Sequence, residues 1–244
     1  MTENYLPHLI DSLPSKAYGY MSTSYSIALE GWRRGLELRL KFVYETPKRQ
    51  RVPYYTLSNG EKTHLFKVSR GDKVSSEAVK ICVNKHLTKE YLIAGNVPTP
   101  MGKVFSANEE VTDLVNYANE IEYPVVLKPI DGTGGKGVIA NISDSEELIN
   151  SFKYLVDDLK IEEMILEKHF SGEDHRIYVI GEQVAGAFKR VPARVVGDGE
   201  SSINKLIKIK NVNRVKNPAF KNHPIKVDYE TLTLIKKQGY TIDS

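Results

Sequence analysis

The stretch YPVVLKPIDGTGGKGV, residues 123–138, is the part of the sequence that decides the fold prediction. An apolar strand pattern runs from Pro124 to Pro129 and leads into a loop whose glycines are Gly132, Gly134, Gly135 and Gly137. Glycine reaches positive φ without a Cβ clash, so several backbone N–H groups can converge on phosphate oxygens. Lys128 and Lys136 would supply compensating charge. The stretch predicts a phosphate site, and the alternative is a glycine-rich hairpin that holds no ligand.

Two common phosphate motifs do not fit this loop. A Walker loop needs Ser or Thr after its lysine, but Gly137 follows Lys136. The loop also continues into a strand pattern at residues 138–142 instead of a helix, which argues against a dinucleotide-binding fingerprint.

Length and composition indicate a globular protein. The 244 residues allow one large domain or two modest ones, and 41% hydrophobic with 27% charged residues argues against a disordered or disulfide-stapled chain. No apolar run approaches the roughly 18 residues that span a bilayer, and MTENYLPHLIDSLPSK shows no export signal. We therefore expect a soluble, cytoplasmic protein without a membrane partner. The single cysteine, Cys82 in AVKICV, is predicted to be a buried thiol.

Positive charge is concentrated in one segment near the end of the sequence. Residues 203–227, which we call the basic segment, hold seven Lys or Arg and no Asp or Glu. Apart from Phe220 the segment has no aromatic interleaving, and it has no groove-reading motif. A solvated face or a phosphate-facing loop is favoured, and nucleic-acid binding is the alternative.

Residue patterns predict alternating helices and strands. A helix-like period covers Ser22 to Leu40, and a short strand, LKFVYE, is predicted after it. Asn59-Gly60 predicts a hairpin. A helical pattern then runs from Ser75 toward Ala94, with a domain seam near residue 84. Further strands are predicted at 103–106, 124–129, 138–142, 164–167, 174–180 and 183–190, with a Gly181-Glu182 turn; helices are predicted at 109–121, at 145–159 with a Ser143-x-x-Glu146 cap, and after Ser201 or Ser202.

A second informative stretch covers residues 165–199. The strand that ends at Glu167 and continues as Lys168-His169-Phe170 could offer backbone groups to a purine edge and an apolar side chain to its face. Asp174 follows seven residues after Glu167. Taken singly, each carboxylate is better explained as a solvated surface group.

Five ordered blocks together resemble the ATP-grasp superfamily of carboxylate–amine ligases, in particular its cyanophycin synthetases and the ATP-grasp half of bifunctional glutathione synthetases. The blocks are Asn84-Lys85-x-x-Thr88-Lys89, VPTPMG, VVLKPIDGTGGKGV, LEKHFSGEDHR and FKRVPARVVGDGESSINKLI. The resemblance implies an α+β ATP-grasp fold with an N-terminal α/β region, a small α+β lid subdomain that carries the glycine-rich loop, and an incomplete C-terminal antiparallel-sheet core.

The resemblance also implies domain boundaries. Residues 1–84 would form an N-terminal pre-grasp region and residues 85–244 the ATP-grasp domain. Within that domain, residues 98–166 would be the lid subdomain and residues 167–244 the partial core.

Site residues follow from the same resemblance. Lys85 and Lys128 match lysines that bind ATP phosphates, and the loop of Gly132, Gly134, Gly135, Lys136 and Gly137 matches a mobile lid over the β- and γ-phosphates. Glu167, Lys168 and Phe170 fall on hinge positions around the adenine.

The ribose and the transferred phosphoryl group would be bound further along the chain. Asp174 matches a carboxylate that accepts the ribose hydroxyls, with Glu173 as a rival. Arg190 matches the catalytic arginine that faces the transferred phosphoryl group, and Arg176 is a weaker candidate for the same anionic cluster.

The implied activity is ATP-dependent ligation of a carboxylate to an amine through an acyl phosphate. ATP and a small amino-acid or peptide substrate, with an amine co-substrate, would be its partners; nucleic acid is not expected, and a homodimer is left open. Relatives place their Mg²⁺ ligands in a C-terminal part that we expect to be missing here, so no metal residue is named and Mg²⁺ would arrive bound to ATP. The carboxylates after Arg190 are expected to be turn or surface acids: Asp198, Glu200, Asp228, Glu230 and Asp243. A non-catalytic nucleotide-binding module or regulatory subunit is the alternative.

Overall fold

Two units make up the chain in the computed structural model, which describes residues 14–19, 21–45, 50–132 and 134–244. Unit 1 combines Met1–Ser75 with Ala193–Ser244, and unit 2 is Ser76–Pro192. Residues 1–13, which hold most of the N-terminal stretch without an export signal pattern, and Thr133 in the glycine loop lie outside the described residues. The functional boundaries proposed at residues 84, 98 and 166 stay predictions.

Unit 1 begins with one helix over an antiparallel sheet. Its elements are α1 (Met21–Arg33), β1 (Glu37–Glu45), β2 (Gln50–Ser58), β3 (Thr63–Lys67) and β4 (Arg70–Gly71), in the sheet order β1-β2-β3-β4. Val52, Tyr55 and Leu57 are buried on β2, and the Tyr55 ring stacks on Phe66 at 5.1 Å between centroids. Burial raises the pKa of Tyr55 to about 12. The side of the sheet under α1 also lines an apolar groove of about 450 Å³.

Turn chemistry accounts for the register and the limits of these elements. Asn59 Oδ1 accepts hydrogen bonds from the amides of Glu61 and Lys62, which closes the predicted β2–β3 hairpin. The predicted helix from Ser22 to Leu40 is wrong beyond Arg33, because Gly35 turns the chain at φ +81° and Leu40 lies in β1. The LKFVYE strand is confirmed as part of β1.

The second half of unit 1 holds two helices, α6 (Ile203–Arg214) and α7 (Tyr229–Lys237). Ser202 caps α6 by accepting from the Lys205 amide at 3.3 Å, which decides between the two predicted serines. Asp198 is a turn acid, as predicted: its Oδ1 accepts from the amides of Ser201 at 2.7 Å and Glu200 at 3.0 Å. These backbone donors lower the pKa of Asp198 to about 2.

Unit 2 contains a four-stranded antiparallel sheet in the order β5-β8-β6-β7. Its elements are α2 (Ser76–Val83), α3 (Lys85–Ala94), β5 (Gly102–Ser106), α4 (Val111–Glu120), β6 (Val125–Pro129), β7 (Ile139–Ile142), α5 (Ser145–Lys153) and β8 (Glu163–Lys168), with a π-helical turn at Tyr154–Asp158 after α5. Strand β8 lies in the middle, and its residues Met164, Ile165 and Leu166 are fully buried. Leu114 of α4 and Leu148 of α5 complete this core.

A separate hairpin follows β8 in unit 2. It consists of β9 (Asp174–Ile180) and β10 (Gln183–Arg190), joined at Gly181-Glu182 as predicted. Its side chains are exposed along nearly all of both strands.

Three local predictions in unit 2 are wrong. Cys82 is exposed because AVKICV lies in α2, a helix that buries none of its residues. The helix expected to run from Ser75 is divided at Asn84, whose side chain caps α3 by accepting from the Leu87 amide at 2.9 Å. The cap of α5 is Asp144 instead of Ser143: Asp144 accepts from the Glu147 amide at 2.9 Å.

No helix in the described part of the chain is both long and apolar enough to cross a membrane.

Candidate functional site

Lys85 is placed at the entrance of the glycine loop by the start of α3. Its backbone amide donates to the Ile130 carbonyl at 2.7 Å, and its Nζ donates to the Asp131 carbonyl at 2.9 Å. Both acceptors belong to the segment that connects β6 to the glycines. The helix start is therefore tied by main chain and side chain to the loop that the sequence identified as a phosphate site.

The glycine loop has the backbone that its composition predicts. Gly132, Gly134, Gly135 and Gly137 have φ values of +90°, +78°, +79° and +71°. The first three are exposed with open space at the position of a Cβ atom, whereas a Cβ atom on buried Gly137 would lie 3.1–3.2 Å from carbons of Leu155, Leu159 and Pro129. Lys136 is exposed between the last two glycines. The loop is thus packed against the protein at Gly137, whereas its earlier glycines are exposed.

One carboxylate joins two lysines beside this loop. Glu167 on β8 has a side chain only 8% exposed; its Oε1 lies 3.0 Å from Lys89 Nζ, and its Oε2 contacts Lys128 Nζ. Lys89 is 7% exposed and also contacts the Pro100 carbonyl, with Thr99 Oγ1 at 3.4 Å. Removing one partner of such a buried pair typically costs about 3–5 kcal/mol, because it leaves a charge uncompensated.

Sheet register and helix periodicity bring this cluster together. Val126 pairs with Glu167 and Lys128 pairs with Ile165, so the side chains of Lys128 and Glu167 are diagonal neighbours on one face. Lys85 and Lys89 are four residues apart on α3 and share one side of that helix. Burial and the neighbouring Lys128 charge lower the pKa of Lys85 below its ordinary value.

The hinge residues offer fewer backbone groups than the sequence predicts. The Lys168 amide donates to the Met101 carbonyl at 2.9 Å, and the His169 amide donates to the Pro124 carbonyl at 3.1 Å. The Lys168 ammonium also folds back, donating to the Glu122 carbonyl at 2.8 Å. Phe170 is 68% exposed, so its ring is open to a flat ligand.

The predicted ribose and transfer residues lie on the β9–β10 hairpin and pair with each other. Asp174 and Arg190 are opposite in the register, and Asp174 Oδ2 lies 2.9 Å from Arg190 Nε and 2.6 Å from one of its terminal nitrogens. Glu173, the rival ribose ligand, contacts Lys189. Arg176 pairs with Phe188 further along the hairpin.

The structure thus forms two groups of candidate residues. Lys85, Lys128, Glu167 and the glycine loop are brought together, and Asp174 is brought to Arg190. In the described chain, no hydrogen bond or ion pair joins the hairpin residues Asp174, Arg176 and Arg190 to the lysine cluster.

Sequence reasoning missed two members of the cluster. Lys89 appears in the quoted Asn84-to-Lys89 block, and its spacing from Lys85 was the available signal, although lysines are rarely buried. Gly102 pairs with Glu167 across β5 and β8, and a Cβ atom there would lie 2.5 Å from Glu167 Cγ. The position of Gly102 opposite a carboxylate has no sequence signature.

The residues brought together here suit an anionic ligand. Positive-φ glycines and three lysines, set against the carboxylates of Glu167 and Asp131, fit an anionic polyphosphate. Among residues 14–19, 21–45, 50–132 and 134–244, no group of three or more His, Cys, Asp or Glu side chains could hold a metal ion.

Comparisons with known proteins identify the family of this chain. The model of the RimK-like ATP-grasp domain matches residues 82–208, which include the lysine cluster, the glycine loop and the hairpin. The cyanophycin synthetase of Crocosphaera subtropica is 32% identical over 169 residues, which cover 68% of this chain and 19% of that protein. The bifunctional glutathione biosynthesis protein of Clostridium perfringens is 28% identical over 224 residues, covering 89% of this chain and 27% of that protein.

A solved structure gives a weaker likeness. The bifunctional glutathione synthetase of Pasteurella multocida is 22% identical, with a TM-score of 0.43 over 87% of this chain and 28% of that one. The chain spans between a fifth and about a quarter of the length of the relatives described here. Because the family model covers more than half of the residues, the chain belongs to the RimK-like ATP-grasp family.

Proposed function

We propose that unit 2 binds ATP and that the protein is an ATP-dependent ligase that joins a carboxylate to an amine. The observation that carries the proposal is the placement of Lys85 and Lys128 beside a loop of positive-φ glycines. Family membership supports it, as do relatives named for the synthesis of cyanophycin and glutathione. An amino acid or a peptide is the proposed substrate, and the specific carboxylate and amine stay open to experiment.

The lysines and the loop would bind the polyphosphate. The ammonium groups of Lys85 and Lys128 would contact phosphate oxygens, and the backbone at Gly132, Gly134 and Gly135 would approach them without Cβ interference. Lys136 would add charge from the loop. Closure of the loop would exclude water, which strengthens these interactions and protects the activated acyl group from hydrolysis.

The adenosine would lie along the hinge and the hairpin. Backbone groups of the hinge other than the Lys168 and His169 amides would read the purine edge, with the exposed Phe170 ring against the purine face. Asp174 or Glu173 would accept the ribose hydroxyls. Arg190, which pairs with Asp174, would then lie next to the ribose ligand.

The proposed reaction has two steps. A substrate carboxylate oxygen attacks the γ-phosphorus, so a new O–P bond forms, ADP leaves and an acyl phosphate results. The amine nitrogen then attacks the acyl carbon, the C–O bond to phosphate breaks, the amine loses a proton, and an amide and inorganic phosphate are released. Arg190 would stabilise negative charge on the transferred group, an effect worth about 10²–10³ in rate for one preorganised donor.

Mg²⁺ enters the proposal only as an ion carried by ATP. Bound with the nucleotide, it would supply positive charge that offsets the negative charge of the phosphates. The cytoplasmic location and the homodimer stay predictions.

The test is ADP release by the whole gene product with pairs of amino acids and peptides. The ligase proposal predicts ADP formation that requires both a carboxylate and an amine. ATP binding without ADP release from any pair would instead favour the non-catalytic nucleotide-binding module, and no ATP binding would contradict both functions.

A further inference from the structure

The side chain of Glu167 is held by two lysines, although its predicted role concerns only the main chain. Lys89 on α3 contacts one carboxylate oxygen at 3.0 Å, and Lys128 on β6 contacts the other. Lys89 is itself held by the Pro100 carbonyl and by Thr99. The buried Lys89–Glu167 pair is therefore a rigid support, and Lys128, at 23% exposed, is the one partner that reaches toward solvent.

Gly102 leaves the space that this carboxylate occupies. It is paired with Glu167 across β5 and β8. A Cβ atom at this position would lie 2.5 Å from Glu167 Cγ and 2.8 Å from the Leu166 carbonyl oxygen, both closer than real Cβ contacts. Residue 102 therefore has to be glycine for Glu167 to keep its present rotamer.

Lys128 needs such a support because its side chain is flexible and its surroundings are positive. A lysine ammonium sits on a four-carbon stem and loses considerable rotamer freedom when it binds one ligand group. Lys85 is close enough for its charge and that of Lys128 to influence each other. Without the Glu167 carboxylate, repulsion from Lys85 and Lys89 would drive the Lys128 ammonium outward.

We propose that the Glu167 carboxylate is a positioning residue: held by Lys89 in the space left by Gly102, it orients the Lys128 ammonium for the ATP phosphates. This inference rests on the proposed function, since it requires ATP at the lysine cluster. Glu167 acts through Lys128 and needs no contact of its own side chain with the nucleotide.

A double-mutant cycle on ATP affinity tests this role in the full chain by calorimetry. Lys128→Ala should weaken ATP binding about tenfold in the unaltered chain, as expected for a hydrogen bond to a charged group. In a Glu167→Gln background the same change should cost only about threefold or less, because residues that act as a unit are not additive. Adenosine, which lacks phosphates, should bind equally well to all four proteins, whereas general damage to the fold would weaken it as well.

Two further variants keep the test decisive. Glu163→Gln, an exposed carboxylate on the same strand, should leave the full tenfold cost of Lys128→Ala. If Glu167→Gln fails to fold because Lys89 is left unpaired, Lys89→Met with Glu167→Gln removes both charges, and the cycle is run in that background with the same expectation.

The possible outcomes distinguish the positioning role of Glu167 from the proposed binding of ATP. ATP binding with equal costs of Lys128→Ala in both backgrounds would overturn the positioning role and leave the proposed function standing. Tighter ATP binding by Glu167→Gln would also overturn it, because the carboxylate would then be only a repulsive neighbour of the phosphates. Absence of ATP binding by the unaltered chain would overturn the proposed function and this inference together.

Discussion

Lys85, Lys89 and Lys128 lie near two carboxylates, those of Glu167 and Asp131, and this excess of positive charge is the main residue-scale feature of unit 2. Two of the three lysines contact Glu167, while Lys85 is bonded to the neutral Asp131 carbonyl. Partial burial strengthens electrostatic interactions relative to water. The excess positive charge of the cluster therefore favours binding of a polyphosphate.

Lys85 should take up a proton when ATP binds. Burial and Lys128 lower its pKa in the free protein, so a fraction of the ammonium is lost as the pH approaches that pKa from below. Phosphate oxygens favour the charged form and raise the pKa again, so ATP affinity should fall as the pH rises through the free-state value. Calorimetry at alkaline pH in two buffers of different ionisation enthalpy measures the uptake. Lys85→Met should abolish it and Lys136→Met should not; equal uptake by wild type and Lys85→Met would contradict the assignment.

Arg190 should contribute to turnover more than to ATP affinity. Arg190→Ala in the whole gene product should lower the rate of ADP release by about 10²–10³, since a donor to the transferred phosphoryl group acts mainly in the transition state. ATP affinity, measured by calorimetry, should change little. Arg176→Ala is the comparison on the same hairpin and should have the smaller effect on rate. Parallel losses of affinity and turnover would show that Arg190 binds nucleotide through Asp174 instead.

At the scale of elements, the glycine loop should respond differently at its two ends. Gly137→Ala combines positive φ with crowding against Leu155, Leu159 and Pro129, so it should lower the free energy of unfolding by about 1–2 kcal/mol or more. Gly134→Ala meets open space and should reduce ATP affinity with a smaller loss of stability. Thermal melting and ATP titration of both variants measure the difference. The same fall in Tm for both would mean that Gly137 does not anchor the loop.

The sequence predicted those turns and strands that are determined by residues close together in the chain. Asn59-Gly60 has the chemistry of the β2–β3 turn, and the apolar run from Val125 is a buried strand that ends at Pro129, shortly before the glycine loop. Local competition explains the errors: Gly35 ends α1 early, and Asn84 caps a new helix within a continuous apolar pattern.

The lysine pair of the candidate site was predictable, but its buried support was not. Lys85 and Lys128 stand beside recognisable motifs. Lys89 and Gly102 matter because both contact Glu167, which is distant in sequence. The order of the sheet strands places Gly102 opposite Glu167, and Lys89 reaches the same carboxylate from α3. Burial of a charged side chain depends on such a distant partner and leaves little trace in local composition.

At the scale of the whole molecule, the basic segment belongs to unit 1, and contacts within the segment favour a solvated protein surface over a nucleic-acid-binding one. Arg214 lies 4.5 Å from the centre of the Phe220 ring and donates to the His223 carbonyl at 2.8 and 3.1 Å. We therefore expect no oligonucleotide mobility shift at low salt. A shift that weakens steeply as salt is added would instead identify this segment as a nucleic-acid surface.

The central claim for the whole molecule is that it binds ATP through the lysine cluster of unit 2. Calorimetric titration of the unaltered chain and of Lys128→Ala with ATP tests this most directly, with Lys153→Ala, an exposed lysine on α5, as the matched control. We predict binding by the unaltered chain and the control, and affinity at least about tenfold weaker for Lys128→Ala. Equal affinity of Lys128→Ala and the unaltered chain would contradict the site.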